Sequence, residues 1–203
     1  MNVVSAEMPI VRPLDRNLEG KPWYTILKAA ASPRKWELLR DYELYVEKLK
    51  LHFLVPAPFV MNFASTPRVF WPIMSPTGIL LAGSVFHDFG YQYGGLFLKI
   101  KDGEYWQFEK FDREYIDSLL DIITCQVHII GDNINPVIRG LAKSAYGMVR
   151  VFGIIPWNNY RKENWSVRAD YAQLVSSGKN RLQALCTGCP YLAEINRFSY
   201  EEN

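Results

Sequence analysis

Residues 77–95 read TGILLAGSVFHDFGYQYGG, and this stretch decides the fold of the segment around it. Thr77 is a residue type that caps helix N-termini, and the pair Gly94 and Gly95 stops the helical pattern. Between them, apolar side chains recur at helical spacing: Leu80, Leu81, Val85, Phe86 and Phe89. The pattern predicts a helix from Gly78 to about Tyr93.

Two pairs of β-strands are predicted on either side of this helix. Downstream, Leu96–Ile100 and Tyr105–Phe108 flank a turn that contains Asp-Gly, a strong hairpin signal, so we expect a small β-wing. Upstream, aromatic and branched residues alternate with polar ones over Trp36–Val46 and over Leu51–Val55. This alternation predicts an N-terminal β-hairpin.

The segment that joins this hairpin to the helix is rich in proline. It contains Pro56, Pro58, Pro67, Pro72 and Pro76. Proline removes a backbone donor and clashes with the preceding turn of a helix, so helical structure is excluded here. We expect a structured loop.

Two more helices are predicted further along the chain. Asp112 can cap a helix from Arg113 to about Ile130, and a third helix is expected from Pro136 to Val151. The apolar positions of the first repeat at helical spacing: Ile116, Leu119, Leu120, Ile123 and Val127.

The chain is therefore expected to have an α+β fold. Its core would be an antiparallel helix pair with an intervening β-wing, an N-terminal β-hairpin and a third helix. We place an extended N-terminal arm at residues 1–35, the core domain at residues 36–155 and a C-terminal extension at residues 156–203, with one short helix near Val167–Val175.

Composition and charge narrow the range of functions. The 203 residues are 49% hydrophobic, enough for one buried core, and 23 basic against 21 acidic residues give a net charge of only +2. We expect no nucleic-acid partner. The first residues lack the basic and apolar regions of a signal peptide, so no signal or anchor is expected. Cys125, Cys186 and Cys189 are too few for a disulfide framework.

Four polar residues of the first helix can share one pocket. Ser84, His87, Asp88 and Tyr91 are spaced by three and four residues, which places them on or beside one helix face. Histidine is the side chain best suited to accept a proton near neutral pH, and a carboxylate on its far ring nitrogen fixes its tautomer. Asp117 on the second helix is the candidate for that carboxylate.

At these residues the sequence resembles the catalytic helix pair of type A2 phospholipases, over roughly residues 77–125. The resemblance implies that His87 is a general base that activates water, that Asp88 binds calcium and that Asp117 orients His87. It further implies that Tyr91 donates a hydrogen bond to Asp117. An antiparallel pairing of the two helices would bring Asp117 against His87.

A longer stretch is similar to a phage and prophage family called domain of unknown function 1353, over about residues 50–153. The residues that carry this resemblance are Val55-Pro56, Phe59, Phe63–Arg68, Trp71, Pro76, Gly78, His87-Asp88, Tyr91, Arg113, Asp117 and Val149–Gly153. This match covers more of the chain and its loop motif is more specific.

The chain departs from both patterns. The loop before the helix, residues 71–78, has one glycine where the phospholipases supply backbone calcium ligands from a glycine-rich loop. Asn62 stands where the phage family usually has an aspartate. Calcium is therefore a possible cofactor rather than an expected one, and loss of catalysis would be consistent with the amide at Asn62.

Some motifs have both a structural and a chemical interpretation. Ser65 is more plausible as a residue that caps the loop than as a nucleophile, because no Gly-x-Ser-x-Gly elbow surrounds it. Cys186 and Cys189 resemble half a zinc site, but two structural thiols are favoured. Arg113 can pair with Asp117 within the helix or hold Asp88.

Two functional hypotheses follow. In the first, the protein is a virion component of a bacteriophage tail or baseplate, made in the cytoplasm of the bacterial host, with other virion proteins as partners. In the second, it is a metal-assisted hydrolase of a phospholipid ester or a cell-wall bond, with His87 as general base. A catalytic His87 must be reachable by solvent, whereas a structural cluster buries it with its polar atoms satisfied.

Overall fold

The computed structural model describes residues 8–14, 20, 22–25, 35–61, 78–100, 105–130 and 133–162. The strands are β1 (Val11–Pro13), β2 (Trp36–Leu38), β3 (Tyr42–Val46), β4 (Leu51–Val55), β5 (Phe59–Met61), β6 (Gly95–Ile100), β7 (Tyr105–Lys110), β8 (Ile129–Ile130) and β9 (Asn133–Ile134). The helices are α1 (Leu81–Tyr93), α2 (Arg113–Val127), α3 (Pro136–Phe152) and α4 (Ile154–Lys162). The α+β class is confirmed.

The strands form three antiparallel sheets, of order β3-β4-β6-β7, β1-β2-β5 and β8-β9. The predicted hairpin is correct for β3 and β4, but a single strand over Trp36–Val46 is wrong. Glu37 and Leu38 are both buried and the next two residues are both exposed, so the alternation of the pleat breaks there. β2 and β3 consequently enter different sheets.

The predicted β-wing exists as β6 and β7, but it is part of the larger sheet. β6 pairs with β4 through Phe53 opposite Leu98 and Leu54 opposite Phe97. Consecutive residues of β6 are buried, so both of its faces are covered. A local hairpin signal carries no information about this second pairing partner.

One strand lies where a loop is predicted. β5 follows Pro58 directly and pairs with β2, with Phe59 and Met61 buried. The rest of that proline-rich segment, residues 62–77, lies outside the described residues, and so does the predicted cap Thr77.

The helices end close to the predicted positions. Gly94 closes α1 with a left-handed backbone (φ 71°), a conformation that glycine adopts without strain, and its N–H donates to the carbonyl of Gly90. Asp112 caps α2 by accepting from the N–H of Tyr115 at 2.7 Å. α2 stops at Val127 rather than Ile130 because β8 pairs with β9.

α1 is the central element of the core. Each of its residues from Leu81 to Tyr91 is buried except Asp88, because the helix lies between the sheets, α2 and α4. A helix that is covered on most of its circumference belongs to a protein interior. Polar side chains on α1 must therefore find partners inside the fold.

The last described helix crosses a predicted boundary. α4 begins at Ile154 and runs to Lys162, and so spans the division that we expect between residues 155 and 156. The short helix expected near Val167–Val175 lies outside the described residues. Within the part of the chain that the structure describes, no helix is long and apolar enough to cross a bilayer.

Candidate functional site

Two glycines allow α1 and α2 to approach closely. A Cβ atom on Gly83 would lie 2.7 Å from Oγ1 of Thr124 and 2.8 Å from the carbonyl oxygen of Leu120. A Cβ atom on Gly90 would lie 2.8 Å from side-chain atoms of Ile116. The order of these contacts is that of antiparallel helices, and it sets His87, between the glycines, opposite Asp117.

His87 and Asp117 form a buried pair across this contact. Nε2 of His87 donates to Oδ1 of Asp117 at 3.0 Å. Both side chains are sequestered, with exposed fractions of 2% for His87 and 0% for Asp117. The predicted contact between His87 and Asp117 is therefore present in the structure.

Asp117 accepts further hydrogen bonds. The hydroxyl of Tyr91 donates to Oδ1 at 2.5 Å, as the phospholipase resemblance implies. Nη1 of Arg150, on α3, donates to Oδ2 at 3.2 Å. His87 and Tyr91 lie on α1, Arg150 lies on α3 and Asp117 itself lies on α2. The carboxylate of Asp117 therefore joins the three helices at one point.

Arg113 extends this cluster along α3. Its Nη1 donates to the carbonyl oxygen of Arg150 at 2.9 Å and lies 3.7 Å from Oδ2 of Asp117. The guanidinium of Arg150 also reaches Glu114, at 3.3 Å. Arg113 thus pairs with Asp117, one of the two partners expected, and also binds the C-terminal turn of α3.

The cluster favours its ionised form. Burial alone would lower the pKa of His87, but its hydrogen bond to Asp117 and the neighbouring Asp88 outweigh burial and raise that pKa above 6.5. Burial alone would raise the pKa of Asp117, but hydrogen bonds from His87, Tyr91 and Arg150 lower it below 3.8. The contact between the two side chains therefore favours an imidazolium beside a carboxylate.

Asp88 lies on the opposite side of the imidazole. Its Oδ1 is 3.8 Å from Nδ1 of His87, beyond hydrogen-bond distance, and its side chain is 11% exposed. Within the described ranges, no group of three or more His, Cys, Asp or Glu side chains is arranged to hold a metal ion. The role of Asp88 as a calcium ligand stays a prediction.

The structure brings together His87, Asp117 and Tyr91, and it adds a residue that the sequence did not single out. Arg150 has no spacing relationship to Asp117, and only its place in the family-like segment Val149–Gly153 marked it. Ser84 is buried on α1. Asn62, Ser65, Cys186 and Cys189 lie outside the described residues.

A cavity of about 520 Å³ lies elsewhere in the fold. Its walls come from the turn after β3 (Glu47), from α2 (Asp121 and Cys125) and from α3 (Arg139 and Lys143). Neither His87 nor Asp117 lines it. The histidine cluster and this cavity are therefore separate features.

Part of the chain matches a known protein family. Residues 36–122 match the model of a family described as protein of unknown function (DUF1353). The match includes α1 and the α2 segment with Asp117, and it confirms the expected family for this part of the chain. Comparison with curated proteins and with solved structures gives no match.

Proposed function

We propose that this chain, whose residues 36–122 belong to the DUF1353 family, is a non-enzymatic assembly protein of the phage type, a tail or baseplate component. In this proposal the phospholipase-like cluster is a structural clamp that joins three helices. The burial of His87 supports the proposal, because its side chain is 2% exposed and contacts Asp117, whose side chain is 0% exposed.

Two physical arguments favour the clamp. A group that acts on a substrate must touch it, and the described fold covers the imidazole almost completely. In addition, the hydrogen bond to Asp117 raises the pKa of His87 and so favours the protonated ring, whereas a general base must be free to accept a proton. A buried ion pair with satisfied hydrogen bonds instead fixes which surfaces of the helices meet.

Particle composition tests the assembly role. An epitope-tagged chain is expressed in host cells that produce particles of the phage or prophage that encodes it, and the particles are purified by density gradient. We expect the tagged chain in the particles at a fixed ratio to the tail proteins. Its absence from particles while it is abundant in the lysate would contradict the proposal.

The second candidate function is hydrolysis with His87 as general base, and one observation favours it. Asp117 accepts the hydrogen bond from Nε2 of His87, so the other ring nitrogen, Nδ1, lies on the side of the partly exposed Asp88. In the proposed reaction, Nδ1 would take a proton from water as that water attacks an ester or amide carbonyl. A calcium ion near Asp88 would stabilise the oxyanion.

Fatty-acid release separates the two candidates. Purified protein is incubated with mixed phospholipid vesicles, with calcium and with chelator, beside His87→Ala and Asp117→Asn proteins whose circular dichroism matches the wild type. The assembly proposal expects no release above background in any sample. Calcium-dependent release that both folded variants lose would establish the hydrolase and assign its base and its orienting acid.

A further inference from the structure

The corner between α3 and α4 exposes a compact group of apolar side chains. Around Gly153, the exposed fractions are 67% for Val151, 50% for Phe152, 42% for Ile154 and 65% for Ile155. Soluble domains rarely leave neighbouring large apolar side chains in water, and such groups mark contact surfaces. From this corner and its charge, we propose that the protein docks on an anionic lipid surface.

The charge of the surrounding segment supports a negatively charged target. Residues 133–162 contain five basic residues and no aspartate or glutamate. The whole chain carries +2, so the remaining residues together carry −3. The positive charge of a nearly neutral protein is thus concentrated in the two helices that form the corner.

Lys162 is the basic residue that can act at the corner, because it is exposed on α4 and lies on the same side of that helix as Ile155, seven residues before it. The other four have partners or acidic neighbours. Arg139 and Lys143 line the cavity beside Glu47 and Asp121. Arg150 is paired with Asp117, and Arg161 donates to main-chain carbonyls of α1. Lys162 is roughly 10 Å along α4 from Ile155. That distance is about one Debye length in physiological salt, so the charge of Lys162 still acts on an anionic surface that the corner touches.

The way the two helices are held makes the corner protrude. α3 packs on α2 through Ala142, Ala145 and Val149, which are buried. α4 packs on α1, where Trp157 contacts the ring of Tyr91 with centroids 5.3 Å apart. α3 thus buries its inner side and α4 partly buries Trp157, whereas the apolar residues of the corner stay exposed.

A protruding apolar corner suits a bilayer better than a protein partner. Side chains such as Phe152 and Ile155 enter the headgroup boundary without a matching cavity, and flanking cations bind anionic lipid. A protein partner would have to supply a concave apolar pocket. This inference uses no feature of the histidine cluster, so its test is independent of the proposed function.

The test is co-sedimentation of the full chain with vesicles of phosphatidylcholine alone and with vesicles that contain 30% phosphatidylglycerol. We expect binding to the anionic vesicles that weakens as salt is added. The double variant Phe152→Ser/Ile155→Ser should lose at least tenfold in partition coefficient. Lys162→Gln should lose up to about fivefold, the usual effect of one cation near an anionic surface.

Leu39→Ser is the matched control, because Leu39 is 44% exposed just after β2, outside the corner. It should bind as the wild type does. Equal binding of wild type to both vesicle types, or wild-type binding by the double variant, would overturn the inference. The inference would also be overturned if the wild type bound no vesicles and formed, in sedimentation velocity, a dimer that the double variant abolished. The corner would then be an interface between copies of the chain.

Discussion

Nε2 of His87 lies 3.0 Å from Oδ1 of Asp117, and this contact joins α1 to α2 in the interior of the fold. Taking two charges out of water is costly, and their attraction compensates only when the remaining hydrogen-bonding capacity is also used. Tyr91 and Arg150 use that capacity on Asp117. The stability of the pair therefore depends on all of its members.

Removal of the carboxylate should destabilise the fold strongly. In Asp117→Asn, the cations of His87 and Arg150 lose their shared counterion, and breaking a buried pair costs about 3–5 kcal/mol. Urea denaturation measures the free energy of unfolding. Glu114→Gln is the control: Glu114 also pairs with Arg150 but is 72% exposed, so a change of at most about 1 kcal/mol is expected. Equal effects of the two substitutions would contradict the clamp.

Two buried tyrosines should respond in opposite ways to loss of the hydroxyl. The hydroxyl of Tyr91 donates to Asp117, and a hydrogen bond to a charged group is worth about 1.5–3 kcal/mol, so Tyr91→Phe should be destabilised by that amount. Among the described residues, the buried hydroxyl of Tyr42 has no partner, so Tyr42→Phe should be neutral or stabilised. Thermal melts of both variants decide the matter, and a larger loss for Tyr42→Phe would refute this account.

The protein should lose stability at both ends of the pH range. The lowered pKa of Asp117 means that its contribution is present above pH 3.8 and is lost as the pH falls through the lower pKa of the folded state. The raised pKa of His87 means that its contribution is complete below pH 6.5 and is lost as the pH rises through the higher folded value.

Urea titrations between pH 5 and pH 9 isolate the histidine. Above pH 6.5, the free energy of unfolding of the wild type should fall more steeply with pH than that of His87→Gln, which cannot titrate at this position. The difference between the two proteins should therefore shrink as the pH rises. A difference that grows with pH would show that His87 is buried in its neutral form.

The sequence was sufficient for features that depend on local signals. Asp112 and Gly94 mark the ends of α2 and α1 through short-range backbone chemistry, and the spacing of His87 and Tyr91 places them on one face. Pairing between distant segments left no such signal. The joining of β6 to β4 and the reach of Arg150 to Asp117 depend on how the elements pack, which spacing along the chain does not encode.

Substitution of glycines by alanine should separate close helix packing from free helix surface. Alanine is favoured over glycine in helices by about 0.5–1 kcal/mol where its methyl group has room. At Gly140, on α3, an added Cβ meets nothing within 4 Å, so Gly140→Ala should be stabilised by that amount. At Gly83 the same methyl group would meet the main chain of Leu120 at 2.8 Å, and main chain cannot rotate away as a side chain can.

Gly83→Ala should therefore force α1 and α2 apart and lose about 1–3 kcal/mol, the usual cost of overpacking. The same displacement would lengthen the bond between His87 and Asp117. The sign of each change is read from urea denaturation, and the imidazole NMR signal of His87 reports the bond. If Gly83→Ala is as stable as Gly140→Ala and leaves that signal unchanged, the close approach of the two helices is not what holds the buried pair.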